Sequence, residues 1–261
     1  LSRVEASGPA SKSPETLLVP TDGKKRPISP PAVYETIPGY GNNIILTIDE
    51  NIQFIAEKEL FSGCKKWRAQ KGTAIVMHSK TGEILAMANH PNYNLNNYST
   101  SQESAKRNHA IWMQFEPGSV FKIVTAAATL NEKLAVPTSI EYCEAGEYRL
   151  PNGHTIHDVK PSDWLTLSEI LEQSSNIGIV KIASRLTKKQ LEEYTHRFGF
   201  GKKTRIDLPY EQTGSLRGFY RWDDYSSASV PFGQGISVTP IQMLNAINTI
   251  ATNGMLLEPY L

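Results

Sequence analysis

The stretch Phe115-Glu116-Pro117-Gly118-Ser119-Val120-Phe121-Lys122 decides how this chain is read, because it sets a serine one helical turn ahead of a lysine. Pro117 and Gly118 cannot occupy a helix interior, whereas Val120 onward (Phe121-Lys122-Ile123-Val124-Thr125-Ala126-Ala127-Ala128-Thr129-Leu130) reads as a buried helix that Ser119 should open. Residues three apart share a helix face. The Lys122 amine is therefore expected beside the Ser119 hydroxyl, with backbone N–H groups at the helix start able to hold a developing oxyanion. Ser119 is a candidate nucleophile and Lys122 its candidate base. The spacing alone also fits a lysine on a solvated face. What favours chemistry is the Pro-Gly break, the cost of burying a lysine in an apolar helix, and a second polar group downstream, Ser174-Ser175-Asn176.

Working outward, the chain has 261 residues with 39% hydrophobic and 20% charged content, enough for one sizeable core or one core with a small appendage. Lysine plus arginine number 27 against 26 acidic residues, so no basic field argues for a nucleic-acid partner. No apolar run approaches membrane-spanning length, and neither a signal peptide nor a membrane anchor is read in the chain. Cys64 and Cys143 lie far apart without CxxC spacing and are read either as one disulfide or as two inert thiols. Residues 1–40, rich in proline, serine and lysine, read as an extended connector.

Regular structure is expected from residue 43, with a strand over 43–48 and Asp49 capping a helix that places Ile52, Ile55, Ala56 and Leu60 on one face. A hairpin follows, Thr73-Ala74-Ile75-Val76-Met77-His78 and Glu83-Ile84-Leu85-Ala86-Met87-Ala88, joined by Ser79-Lys80-Thr81-Gly82. The later half is mainly helical. Capping boxes at Thr166-Leu167-Ser168-Glu169, Thr187-Lys188-Lys189-Gln190 and Thr239-Pro240-Ile241-Gln242 open helices, the last with proline at its first position and a stop at Asn253-Gly254.

Ser174-Ser175-Asn176 falls between two apolar helical segments, 165–171 and 177–186, and fits either a plain interhelical turn or a set of groups that fix a substrate amide and hold the lysine. His154 and His157 have a spacing found in metal sites, but their segment reads as a loop with no third ligand, and no metal is assigned. Arg217, Arg221, Trp222, Asp223 and Asp224 read as a surface loop near the cleft. Gly233 and Gly235 read as a tight backbone path before the Thr239 helix.

These residues together resemble the class B penicillin-binding proteins, monofunctional D,D-transpeptidases that cross-link peptidoglycan. The likeness rests on Ser119-x-x-Lys122 and Ser174-x-Asn176. It extends to Leu46-Thr47-Ile48-Asp49, Thr81-Gly82-Glu83-Ile84-Leu85-Ala86-Met87, Arg107-Asn108, Glu116-Pro117-Gly118-Ser119 and the run from Phe232-Gly233-Gln234-Gly235 to Gln242. The resemblance implies an α/β fold of the α+β type, a central antiparallel sheet flanked by helical layers. The transpeptidase domain would occupy 41–261, after a connector (1–40) ending an amino-terminal non-catalytic module. It further implies that Ser119 attacks a D-Ala-D-Ala stem peptide, Lys122 acts as base, Ser174 relays a proton to the leaving nitrogen, and Asn176 binds both Lys122 and the substrate amide. Expected partners are peptidoglycan stem peptides, β-lactam antibiotics and a membrane glycosyltransferase of the elongation or division machinery. No cofactor is implied. The expected location is the outer face of the cytoplasmic membrane, by way of an amino-terminal helix.

One departure stands out. The family's third motif, Lys-Thr-Gly, should follow Ser-x-Asn, yet Lys80-Thr81-Gly82 lies upstream of Ser119 in a hairpin turn and is read as structural. The expectation is therefore a domain whose last strands and third motif are missing after Leu261, and a short chain that labels weakly with penicillin. A serine β-lactamase or β-lactam sensor, and a non-catalytic cell-wall scaffold, are the alternative readings.

Overall fold

The computed structural model describes residues 44–261, so the connector read over 1–40 falls outside the described residues. Asp49 accepts from the amides of Asn51 and Ile52 at 2.9 and 3.0 Å and caps helix α1 (Glu50–Trp67). The strand expected over 43–48 is not formed among the described residues. At the hairpin edge the Ile84 amide donates to Tyr260 O at 2.9 Å, the Thr47 hydroxyl donates to Ile84 O at 2.7 Å and the Asp49 amide donates to Leu85 O at 2.9 Å. On α1, Ile52, Ala56 and Leu60 are half-buried as expected, but Ile55 is exposed.

Strands β1 (Gly72–Met77) and β2 (Ile84–His90) form the expected antiparallel hairpin, with Ala74 opposite Ala88 and Val76 opposite Ala86. Alternate residues of β2, Ile84, Ala86 and Ala88, are buried, which is the two-residue period of a sheet face packed on a core. Lys80-Thr81-Gly82 is its turn. Gly82 sits at φ +86°, where an added Cβ would stand 2.8 Å from Glu258 O, so glycine is required there for both reasons.

Helix α2 (His109–Trp112) leads to α3 (Lys122–Asn131), which runs through the middle of the domain. Val124 and Ala128 of α3 pack in one cluster with Leu191, Tyr194, Phe200 and Met243, while Ala126 packs in another with Leu167, Ile170, Ile177 and Ile182. Short strands β3 (Ile140–Tyr142), β4 (Glu147–Arg149), β5 (Thr155–His157) and β6 (Trp164–Thr166) follow, β3 pairing with β6 and β4 with β5, both antiparallel. His157, expected in a loop, ends β5. Leu165, expected in a helix, lies in β6 because Thr166 caps the helix that begins after it.

The remaining elements are α4 (Leu167–Glu172), α5 (Asn176–Ala183), α6 (Lys188–Arg197), α7 (Asp224–Ser229) and α8 (Pro240–Ala251). All three capping boxes form, and Pro240 takes the first position of α8. The class is mixed α/β with antiparallel pairing; among the described residues that pairing comprises three two-stranded ladders. Trp222 is not on a surface loop. It is buried in the α3–α6–α8 cluster with its indole N–H on Arg217 O at 2.8 Å, and Asp223 beside it caps α7 through the Ser226 amide at 2.7 Å. Cys64 and Cys143 are both buried free thiols, which removes the disulfide alternative.

Gly178 shows how tightly α4 and α5 meet: a Cβ there would stand 2.5 Å from Ile170 Cγ1, and Ile170 is fully buried. Alanine is the better helix former by about 1 kcal/mol, yet overpacking costs about 1–3 kcal/mol. Gly178→Ala is therefore expected to lower the melting temperature by a few degrees, and a rise would show that Ile170 gives way.

Candidate active site

The segment carrying Ser119 is clamped onto the run before α8. Phe115 and Val238 exchange backbone bonds at 3.0 and 2.9 Å, the Gly118 amide donates to Gly233 O at 3.0 Å, and the Gly235 amide donates to the Glu116 carboxylate at 2.9 Å. Gly233 stands at φ +81°, and a Cβ on it would lie 2.2 Å from Gly118 O. The glycines of Phe232-Gly233-Gln234-Gly235 thus do more than ease the path to α8. Gly233 lets a second backbone reach the nucleophile loop.

Ser119 sits in a 3₁₀ turn (Gly118–Phe121), one turn ahead of α3 rather than as its first residue, and its carbonyl accepts from the Lys122 amide. Neither that turn nor α3 carries a side-chain cap, so no side-chain oxygen competes there for the first amides. The Ser119 side chain is exposed, and its hydroxyl has no hydrogen-bond partner among the described residues.

Lys122 is 1% exposed. Its ammonium does not bond the Ser119 hydroxyl, as the shared helix face suggested, but reaches across to the turn between α4 and α5. There it donates to the carbonyl of Ser174 and to its hydroxyl, the latter at 3.0 Å. Burial pushes the Lys122 ammonium down to about 8, against the opposing pull of the Asp158 carboxylate. Ser174 is at φ +58°, a left-handed conformation that costs a residue with a Cβ about 1–3 kcal/mol. In that conformation both its carbonyl and its hydroxyl meet Lys122. The interhelical turn and the second constellation are therefore one object.

Asn176 is placed differently from expectation. Its side-chain amide donates to His157 O at 2.9 Å rather than meeting Lys122, whose bonds Ser174 already accepts. Its Oδ1 makes no hydrogen bond among the described residues, so it can receive an N–H from outside. His154 packs against Tyr225 with the rings tilted by 47° and their centroids 4.9 Å apart.

Asp158 lies outside both sequence motifs. Its carboxylate accepts from the Ser175 hydroxyl at 2.6 Å and from the amides of Asn176 and Ile177 at 2.5 and 3.0 Å. No motif in the sequence marks such a group: Ser175 caps α5 through the Gly178 amide, and the Asn176 and Ile177 amides, orphaned as at any helix start, are taken by Asp158.

With that geometry in place, the likeness to known proteins is specific. The penicillin binding protein transpeptidase domain family matches residues 72–261, a span that contains Ser119, Lys122, Asp158, Ser174 and Asn176. The chain is 37% identical over 214 residues to the peptidoglycan D,D-transpeptidase FtsI of Escherichia coli, covering 82% of this chain and 36% of that one. It is 35% identical over 243 residues to stage V sporulation protein D of Bacillus subtilis, covering 92% and 38% respectively. Penicillin-binding protein 3 of Mycobacterium tuberculosis, solved in complex with aztreonam, aligns with a TM-score of 0.79 at 30% identity, covering 85% of this chain and 50% of that one. The chain spans little more than a third of the length of the two curated relatives. The match over most of the chain, on a serine–lysine pair that the fold supports from both sides, means that it belongs to the penicillin-binding protein transpeptidase family, among class B relatives.

Proposed function

We propose that this chain carries the acylation centre of a peptidoglycan D,D-transpeptidase. The observation that bears most on this is the pairing of a buried Lys122, held on the Ser174 carbonyl and hydroxyl, with an exposed and unengaged Ser119 hydroxyl one turn away. Ser119 Oγ attacks the carbonyl carbon of the penultimate D-alanine while its proton passes to the neutral Lys122 amine. As the tetrahedral intermediate collapses, the C–N bond to the terminal D-alanine breaks. The Ser174 hydroxyl hands its proton to that nitrogen and is reprotonated from Lys122. An amine of a second stem peptide then attacks the ester and frees Ser119. A β-lactam follows the first half of this course, with its ring amide as the bond that breaks. The E. coli relative's name and the aztreonam complex of the mycobacterial structure support the substrate and the inhibitor class.

In this reading Asn176 Oδ1 receives the substrate amide, and no metal or cofactor takes part. The domain works on the outer face of the cytoplasmic membrane beside a membrane glycosyltransferase. No helix among the described residues is long and apolar enough to cross a membrane, so an anchor would lie elsewhere in the protein.

Digestion after labelling tests the proposal. Residues 108–122 form a single tryptic peptide in which Ser119 is the only serine. Incubating the intact protein with penicillin is expected to add one penicilloyl group to that peptide. An adduct elsewhere would overturn the assignment of Ser119, and rapid release of hydrolysed penicillin without a lasting adduct would favour a β-lactamase.

A further inference from the structure

Asp158 lies outside both motifs and enters the site from the β4–β5 hairpin, immediately after β5. The hairpin end is fixed: the Asp158 amide donates to Gly146 O at 3.0 Å, and Gly146, at φ +92°, presses on Pro161 so closely that a Cβ would stand 3.0 Å from Pro161 Cα. From there the carboxylate takes three hydrogen bonds at the start of α5, from Ser175 Oγ and the Asn176 and Ile177 amides. An anion is favoured at that end of a helix by the exposed amides and the helix dipole. The Asn176 side chain on His157 O is a second tie between the same two elements.

Those ties act directly downstream of Ser174, the residue whose left-handed conformation aims carbonyl and hydroxyl at Lys122. The charged groups around the cluster are few. Asp158 is the one that acts on Lys122, and Cys143, on the other side of Ser175, feels Asp158, Glu141 and Lys181. Burial pushes the Cys143 thiol up, so it stays neutral where Lys122 titrates.

We propose that Asp158 is a positioning residue for the acylation step, clamping the start of α5 from the hairpin so that Ser174 faces Lys122, and placing its negative charge within reach of the Lys122 ammonium. This rests on the reading of Lys122 as base. The geometric and electrostatic roles can be separated. Asp158→Asn keeps an oxygen for the two amides, and the Ser175 hydroxyl can turn to accept from the new NH2 group, so the clamp survives while the charge goes. Asp158→Ala removes both.

The test is the second-order rate of acylation by fluorescent penicillin, followed on either side of pH about 8 in the parent, both Asp158 variants and Lys122→Gln. Asp158 favours the ammonium, so Asp158→Asn is expected to move the acidic limb of the profile to lower pH by about half a unit to one unit. Asp158→Ala is expected to lower the plateau rate about ten- to a hundredfold through misplacement of Ser174. A role confined to folding would lower the rate at every pH and leave the limb in place. If Asp158→Ala fails to fold, the Asp158→Asn profile still decides. A limb that depends on Lys122 but ignores Asp158→Asn overturns the charge role alone, and a parent-like plateau in Asp158→Ala overturns the clamp. A parent limb that is absent, or persists in Lys122→Gln, overturns the reading of Lys122 and this inference with it.

Discussion

A Lys122→Gln protein is expected to be acylated about a hundred- to ten-thousandfold more slowly than the parent, the range that removal of a general base produces. Glutamine is the informative replacement because its amide can still donate to the Ser174 carbonyl, so the buried acceptor is not abandoned, while it cannot take a proton from Ser119. The parent should also show a pH signature that the variant lacks. A lysine in water titrates near 10.4, whereas Lys122, 1% exposed, is brought down to about 8 by burial. At pH 7 about a tenth of it is then neutral and able to accept a proton. Below pH about 8 the rate should fall tenfold per unit, and above it the rate should level off.

The same shift fixes a sign for stability. The unfolded chain binds the Lys122 proton up to about pH 10.4, the folded chain only up to about 8, so folding is penalised below about 8 and relieved as pH rises between the two values. Glutamine carries no such penalty. The variant should therefore compare best with the parent in melting temperature at neutral pH and lose ground as pH rises toward 10. A normal acylation rate in Lys122→Gln, or a parent profile flat through pH 8, would remove lysine from the role of base.

The parts of the site that could be read from sequence are those whose cause is local. A Pro-Gly break before an apolar run announces the 3₁₀ turn that leads into α3, and a threonine with Glu or Gln three residues on announces α4, α6 and α8, because each capping box closes within four residues. Gly82 in the hairpin turn belongs to the same kind. What lay beyond reach depends on chain segments that meet only in the fold. Lys122 finds its acceptor 52 residues away, in a segment whose spacing also fits a plain interhelical turn, and Asp158 caps a helix from a hairpin 17 to 19 residues upstream with no motif to mark it. Residues 44–48 looked like a strand because all but Thr47 are apolar, but no strand forms there, and the Ile84 amide at the hairpin edge is bonded to Tyr260 O instead. Trp222 looked exposed among arginines and aspartates, although its ring is buried in the core and its indole N–H is satisfied by Arg217 O. The family likeness carried Ser174 and Asn176 into the site, but could not say that Asn176 would spend its amide on His157 and leave Lys122 to Ser174.

Gly233→Ala is expected to be the most damaging single-methyl change in the described domain, because two costs meet there. The left-handed backbone at φ +81° charges alanine about 1–2 kcal/mol, and overpacking adds about 1–3 kcal/mol. The methyl would stand 2.2 Å from Gly118 O, 2.7 Å from Gly118 N and 2.8 Å from Phe121 Cβ. Two of these are backbone atoms, so no rotamer change relieves the clash. The loops must separate instead, and the bond from the Gly118 amide to Gly233 O at 3.0 Å is the first to lengthen. A total of about 3 kcal/mol corresponds to a melting temperature lower by roughly 6–12 °C in a domain of this size.

Gly118→Ala is the control that isolates the clash. It shares a positive φ, +56°, but a Cβ there meets nothing within 4 Å, so only the backbone cost applies, about 1–2 kcal/mol. Displacing the Ser119 loop should also slow acylation about a hundredfold in Gly233→Ala even well below its melting temperature, since about an ångström of misplacement at a reacting group has that effect. If the two alanine variants melted alike and Gly233→Ala were acylated as fast as Gly118→Ala, the contact between Gly118 and Gly233 would not be what holds the nucleophile loop in place.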